Sequence, residues 1–182
     1  MPEGRRPNDK TNASMKQLIL IRHAKSDWGN EFLKDIDRPL NDRGYADAYF
    51  LGEWFLKNKA LPEQIVASTA TRALNTALIF ARIFDFDMKR FCLEKEIYES
   101  SVERLLSIIH EQDDARERIM LFGHNPAFTN ICNELSDDLF FDNVPTCGIV
   151  ALNFNISSWS ELSKKTGKVD FYQFPKEFKN KD

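Results

Sequence analysis

What most constrains this chain is a repeated alternation between short apolar runs and segments whose apolar residues recur at helical spacing. Residues 18–21 (LILI) and 119–122 (IMLF) are continuous apolar runs, as expected of strands buried on both faces. Residues 64–67 form a second short strand, and a weaker one lies near 91–93. Between them, 41–58 reads as a helix with Asn41 as N-cap and Ala46, Tyr49, Phe50 and Trp54 at helical spacing. Residues 70–84 place Ala73, Thr76, Ala77, Phe80, Ala81 and Phe84 on one face. The helix over 101–111 turns Val102, Leu105, Leu106 and Ile109 inward, and another runs from 126 to about 135. Residues 149–154 and 169–174 close the series as two further strands.

Strand and helix in this order imply an α/β fold, a three-layer sandwich with a mostly parallel central sheet and helices on both faces. The 182 residues suffice for one core. Residues 15–182 read as a single domain, and the polar, aperiodic residues 1–14 as a flexible N-terminal extension, with Met15 a candidate natural start. A net charge of −3 offers nucleic acid no general attraction, and no apolar stretch is long enough for a membrane partner. The three cysteines, Cys92, Cys132 and Cys147, form no C-x-x-C pair and read as small core residues in a reducing, cytoplasmic setting.

In a parallel α/β sheet, ligands bind outside the carboxyl ends of the strands. Two of the three histidines stand there: His23 after 18–21 and His124 after 119–122. His110, inside a helix, reads as a surface residue. Arg22 precedes His23, and Arg72 lies one turn into the helix after the second strand. Guanidinium groups bind phosphate through paired hydrogen bonds and stay charged at any working pH. Asn125 and Pro126 read as the cap and first position of a helix whose free N–H groups favour an anion. Two imidazoles, two guanidiniums and a helix start suit a phosphoryl group attacked in line by neutral His23. His124, Arg22 and Arg72 would then stabilise its oxygens. The other ring nitrogen of His23 is expected to donate to a backbone carbonyl. No H-x-H or H-x-x-x-H spacing suggests a metal.

Arg22-His23-Ala24, the segment Ser68…Arg72-Ala73…Thr76 and Gly123-His124-Asn125-Pro126 resemble the histidine phosphatase superfamily, with its phosphoglycerate mutase-like fold. R-H-A-K-S-D-W, the D-x-D-R-P-L-N-D-R-G of 35–44 and G-H-N-P are similar to its short branch of SixA-type phosphohistidine phosphatases. Ala24 stands where the commonest form has glycine. The resemblance implies His23 as nucleophile, Arg22 and Arg72 as phosphate-binding arginines, His124 as the second histidine, and no cofactor or metal; Asn125 joins the phosphate ligands from its place at the helix start. It implies Glu96, or alternatively Glu99, as proton donor. The implied substrate is phosphorylated, a phosphohistidine-bearing protein first among the candidates. Connections too short for a lid suit such a partner, which Lys25, Lys34 and Arg38 could touch, while Asp35, Asp37 and Arg38 could pair locally. The alternatives are a small-molecule phosphatase or mutase, and a phosphate-binding module without turnover.

Overall fold

The computed structural model describes residues 15–179, so the expectation for residues 1–14 lies outside the described residues. Six strands, β1 (Met15–Arg22), β2 (Gln64–Ser68), β3 (Phe91–Glu94), β4 (Arg118–Gly123), β5 (Ile149–Asn155) and β6 (Lys168–Gln173), form one sheet in the order β3-β2-β4-β1-β5-β6. The first four in that order are mutually parallel; β5 runs antiparallel to β1, and β6 antiparallel to β5. The helices are α1 (Asp42–Asn58), α2 (Thr71–Ile83), α3 (Val102–His110), α4 (Ala127–Leu135) and α5 (Pro175–Lys179).

Side-chain alternation along the strands explains the three layers. Leu18 and Leu20 of β1 join Leu121, Leu105, Ile109, Phe128 and Trp159 in the core beneath α3 and α4. Ile19 and Ile21 point the other way, joining Met120, Phe122, Leu51, Phe55 and Phe80 beneath α1 and α2. Such continuous runs are buried on both faces, which is why they show no polar alternation.

The inner face of α1 differs from the expected one. Gly44, Ala48, Leu51, Gly52 and Phe55 are buried, while Tyr49 and Phe50 are exposed. Phe50 and Trp54 instead meet Phe178 near the chain end, at ring separations of 5.0 and 5.8 Å. Cys132 and Cys147 are buried as expected, but Cys92 is exposed because β3 is an edge strand. His110 is part-buried rather than a free surface group, its Nε2 lying 2.8 Å from the Leu162 carbonyl oxygen. Among the described residues, no helix is long and apolar enough to cross a membrane.

Helix α1 reaches the loop after His23 through Gly44. A Cβ there would stand 2.1 Å from the Lys25 carbonyl oxygen. That oxygen also accepts from the Asn41 amide, at 3.0 Å, and the Asn41 side chain caps Gly44. The clash is with backbone, which cannot rotate away. Gly44→Ala should therefore cost about 1–3 kcal/mol, the usual range for overpacking, read as a lower midpoint in urea denaturation.

Candidate active site

The parallel register of β1 with β4 pairs Leu18 with Ile119, and so on to Arg22 with Gly123. The next residue on each strand is therefore a histidine. The His23 amide donates to the Gly123 carbonyl at 3.0 Å, and the two imidazole centroids lie 5.1 Å apart. Ser68, at the end of β2, is aligned on the other side of β4, with its Oγ 2.8 Å from His124 Nε2. Arg72, in the first turn of α2, directs its Nε to His23 Nε2 at 3.3 Å. The structure thus brings His23, His124 and Arg72 to one edge of the sheet.

The tautomer of His23 follows from its neighbours. Nδ1 lies 2.7 Å from the Ala24 carbonyl oxygen, which can only accept, so Nδ1 carries the proton and Nε2 the lone pair. This backbone is held firmly: the Cys147 amide donates to the carbonyls of both Arg22 and His23, and the Ala24 amide donates to Thr76 Oγ1. Burial first, opposed by the Ala24 bond and aided by the charges of Arg72, Arg22 and Arg38, lowers the His23 pKa from its ordinary 6.5 to about 4. Burial, then the charges of His23 and Arg72, push His124 down to about 3.

A cleft of about 350 Å³ opens here, lined by Asp35, Arg72, Tyr98, Glu99, His124 and Asn125 among others. The Arg72 fork already holds a carboxylate in it. Nη2 donates to Asp35 Oδ2 at 2.9 Å, and Nη1 to the Asp35 carbonyl at 2.6 Å. Tyr98 Oη donates to the same Oδ2 at 2.8 Å, and Arg38 Nη1 to Oδ1 at 3.0 Å. Burial works to raise the Asp35 pKa, but Tyr98 and the two arginines outweigh it and hold the carboxyl below its usual range. Burial and the Asp35 bond push the Tyr98 phenol up to about 12, keeping it a donor. Arg38 is itself fixed by the Asp27 carbonyl and stacks on Trp28, 3.2 Å from the ring centroid.

The remaining candidates fall elsewhere. Arg22 donates from Nη1 to the Val144 carbonyl at 2.8 Å and lines a neighbouring cavity; neither it nor His23 is among the residues lining the cleft, and the Arg22 charge lowers the pKa of both histidines. Glu96 pairs with Arg104 and is absent from the cleft lining, whereas Glu99, with left-handed backbone at φ 53°, is present. Of the two glutamates expected as donor, the cleft lining thus includes the alternative, Glu99, and not Glu96. Helix α4 starts one residue late, at Ala127. Its Phe128 amide is taken by the His124 carbonyl and its Thr129 amide by Asn125 Oδ1, so the helix start offers an anion less than expected. The Asn125 amide nitrogen is occupied by Asn143 and Val144. Sequence reasoning gave no role to Ser68 or Tyr98 and placed Asp35 in the loop only. For Ser68 the usable signal is its strand-end position, one residue short of the level of the two histidines.

Among the described residues, no group of three or more His, Cys, Asp or Glu side chains could hold a metal ion. What remains is a neutral imidazole whose Nε2 lone pair accepts from Arg72 Nε, a second neutral imidazole and a guanidinium holding a tethered anion. That arrangement can bind a phosphoryl group and attack it.

The histidine phosphatase superfamily profile (branch 1) matches residues 18–91. Over those residues the chain is similar to this superfamily. Within it, the likeness is to SixA-type structures. SixA from Agrobacterium tumefaciens, a proposed phosphohistidine phosphatase, superposes with a TM-score of 0.73 at 25% identity, covering 88% of this chain and 98% of that one. The protein histidine phosphatase SixA complexed with tungstate superposes with a TM-score of 0.76 at 15% identity, over 89% of this chain and 99% of that one. An uncharacterised chloroplastic protein of Arabidopsis thaliana is 29% identical over 84% of this chain and 72% of its own length. A 2,3-bisphosphoglycerate-dependent phosphoglycerate mutase of Arthrobacter is 42% identical, but over 35% of this chain and only 26% of the mutase.

The depressed pKa values carry a pH prediction. A histidine whose folded pKa lies below its unfolded value binds fewer protons when folded, so its contribution to stability is present above about pH 6.5 and is lost as pH falls. Stability should decline between about pH 6.5 and the folded values of about 4 for His23 and 3 for His124. In an NMR titration, the ring C–H resonances of both should stay flat from pH 8 to about pH 5, whereas titration near pH 6.5 would contradict the burial argument.

Proposed function

We propose that this protein is a metal-independent phosphatase that works through a phosphohistidine on His23, with a phosphohistidine-bearing protein as its substrate. The observation that carries the reading is the unprotonated Nε2 of His23, beside the Arg72 guanidinium and 5.1 Å, centroid to centroid, from His124. On binding, the Arg72 fork exchanges Asp35 for two phosphoryl oxygens, and Nε2 is released for in-line attack. A bond forms from Nε2 to phosphorus while the bond to the leaving nitrogen breaks. Water then attacks phosphorus, returning the electron pair to His23 and releasing phosphate. His124 and Arg72 stabilise the equatorial oxygens, and the charge of Arg22 acts through space.

Preorganisation favours this chemistry. The Ala24 carbonyl fixes the tautomer, and burial keeps the nucleophile neutral across ordinary pH. A phosphohistidine substrate also lightens the demand for an acid, because an imidazole leaves more readily than an alkoxide. Glu99, in the cleft lining, is the donor for substrates that need one. The likeness to SixA-type structures supports a protein substrate. The likeness to mutases spans only about a quarter of their length.

The decisive experiment follows labelled phosphate from a phosphohistidine protein. Wild type should release it and, after an alkaline denaturing quench, carry label. His23→Ala should do neither, with turnover down at least about 10³-fold; unchanged turnover in that variant would end the proposal. Isomerised phosphoglycerate in place of free phosphate would mean a mutase, tight binding without release a binding module, and loss of activity in a strong chelator a metal enzyme. Glu99→Gln should slow an alkyl phosphate by about 10²-fold or more, within the general-acid range, and phosphohistidine far less; an equal loss on both would remove Glu99 as donor. Asp35→Asn should tighten inhibition by phosphate or tungstate about fivefold, the worth of one exposed ion pair near 1 kcal/mol.

A further inference from the structure

Beside the cleft, over the other half of the sheet, lies a second cavity of about 500 Å³. Its position follows from the topology. Strand β5 begins where β1 ends, Ile149 pairing with Ile21, and β6 ends there too, Gln173 pairing with Ile149. The segments before β5 and after β6 therefore wall a hollow on the same sheet edge as His23. Its charged lining is Arg22, Lys25, Arg43 and Lys176, with no carboxylate among the lining residues. Arg43 reaches Asp47 through Nε at 3.4 Å. Lys25 and Lys176 have no ion pair among the described residues, and Arg22 spends one nitrogen on the Val144 carbonyl and leaves its buried Nε without a partner.

In a protein of net charge −3, this concentration of positive charge is local. Like charges around a concavity repel one another, and low-dielectric walls focus their field outward, so an anion is the natural occupant. The remaining wall, including Tyr172, Phe174 and Pro175, is apolar enough to pack the stem of a side chain. A peptide in extended conformation advances about 3.3–3.6 Å per residue. An acidic residue a few positions from the phosphorylated one can thus enter a hollow whose wall residue Arg22 directly precedes the nucleophile.

We propose that this cavity binds acidic side chains flanking the phosphorylated residue of a protein substrate. This rests on the phosphatase reading above and adds a preference to it. Lys25, Arg43 and Lys176 supply the attraction, and Arg22 joins the two halves of the edge. The expected signature lies in KM and in salt dependence, since charge pairing at an open site draws the substrate in and is screened by ions.

The test uses two phosphohistidine peptides that differ only in having glutamate or glutamine at the flanking positions. Wild type should favour the glutamate peptide about tenfold in kcat/KM at low salt, a preference that shrinks as salt rises. Arg43→Gln with Lys176→Gln should abolish the preference through KM and leave turnover of free phosphohistidine unchanged. Lys176→Gln alone, at an exposed position, should weaken it and guards against misfolding of the pair. Equal rates on both peptides with wild type, or a preference that survives both variants, would overturn the proposal. Anisotropy of the labelled, unphosphorylated glutamate peptide reads the cavity without turnover. Binding weakened by Lys176→Gln would support the cavity even if no peptide were hydrolysed, a result that would sink only the phosphatase reading.

Discussion

The hydrogen-bonded register between β1 and β4 is the constraint on which the rest depends. A slip of one residue would turn every side chain on one strand to the opposite face, sending Leu18 and Leu20 into the wrong core. The same slip would separate the two histidines. Fold stability and site assembly are therefore specified by one set of interactions, and the apolar runs that bury the strands also deliver the imidazoles.

Around that register, the structure keeps two histidines uncharged. Burial dominates for both, and neighbouring guanidinium charge acts in the same direction. A cationic imidazole beside Arg72 would be doubly penalised, by desolvation and by like charge. On the proposed chemistry this is useful, because a protonated ring has no lone pair to offer. The supporting groups are mostly backbone: the Ala24 carbonyl, the Cys147 amide and the Gly123 carbonyl. Backbone groups hold position without losing rotamer entropy, which makes them good anchors for a nucleophile.

The sheet, the four main helices and the edge that carries His23, His124 and Arg72 were legible in the sequence, because period and strand ends are local properties. The inner face of α1 was misread, since Tyr49 and Phe50 share a helical spacing with apolar partners but the packed face is built from Gly44, Ala48 and Leu51. Large residues on a helix suggest a core, whereas close approach of backbone to backbone selects small ones. Glu96 and Glu99 could not be separated by spacing, because a left-handed residue at Glu99 changes which carboxylate meets the cleft. Asp35 and Arg38 do pair within the loop, but the bond from Asp35 to Arg72 spans distant segments and has no sequence signature.

That carboxylate gives the cleft an occupant tethered to the chain. A tethered ligand competes at an effective concentration on the order of millimolar whatever the surrounding solution contains. A doubly charged phosphoryl group with three oxygens to share competes for the guanidinium better than a monovalent ion such as chloride or acetate. On the proposed chemistry the guanidinium has a waiting replacement after each turnover, so departure of inorganic phosphate need not leave a bare charge behind. Asp35 thereby sets a threshold of charge and geometry that an incoming anion has to exceed.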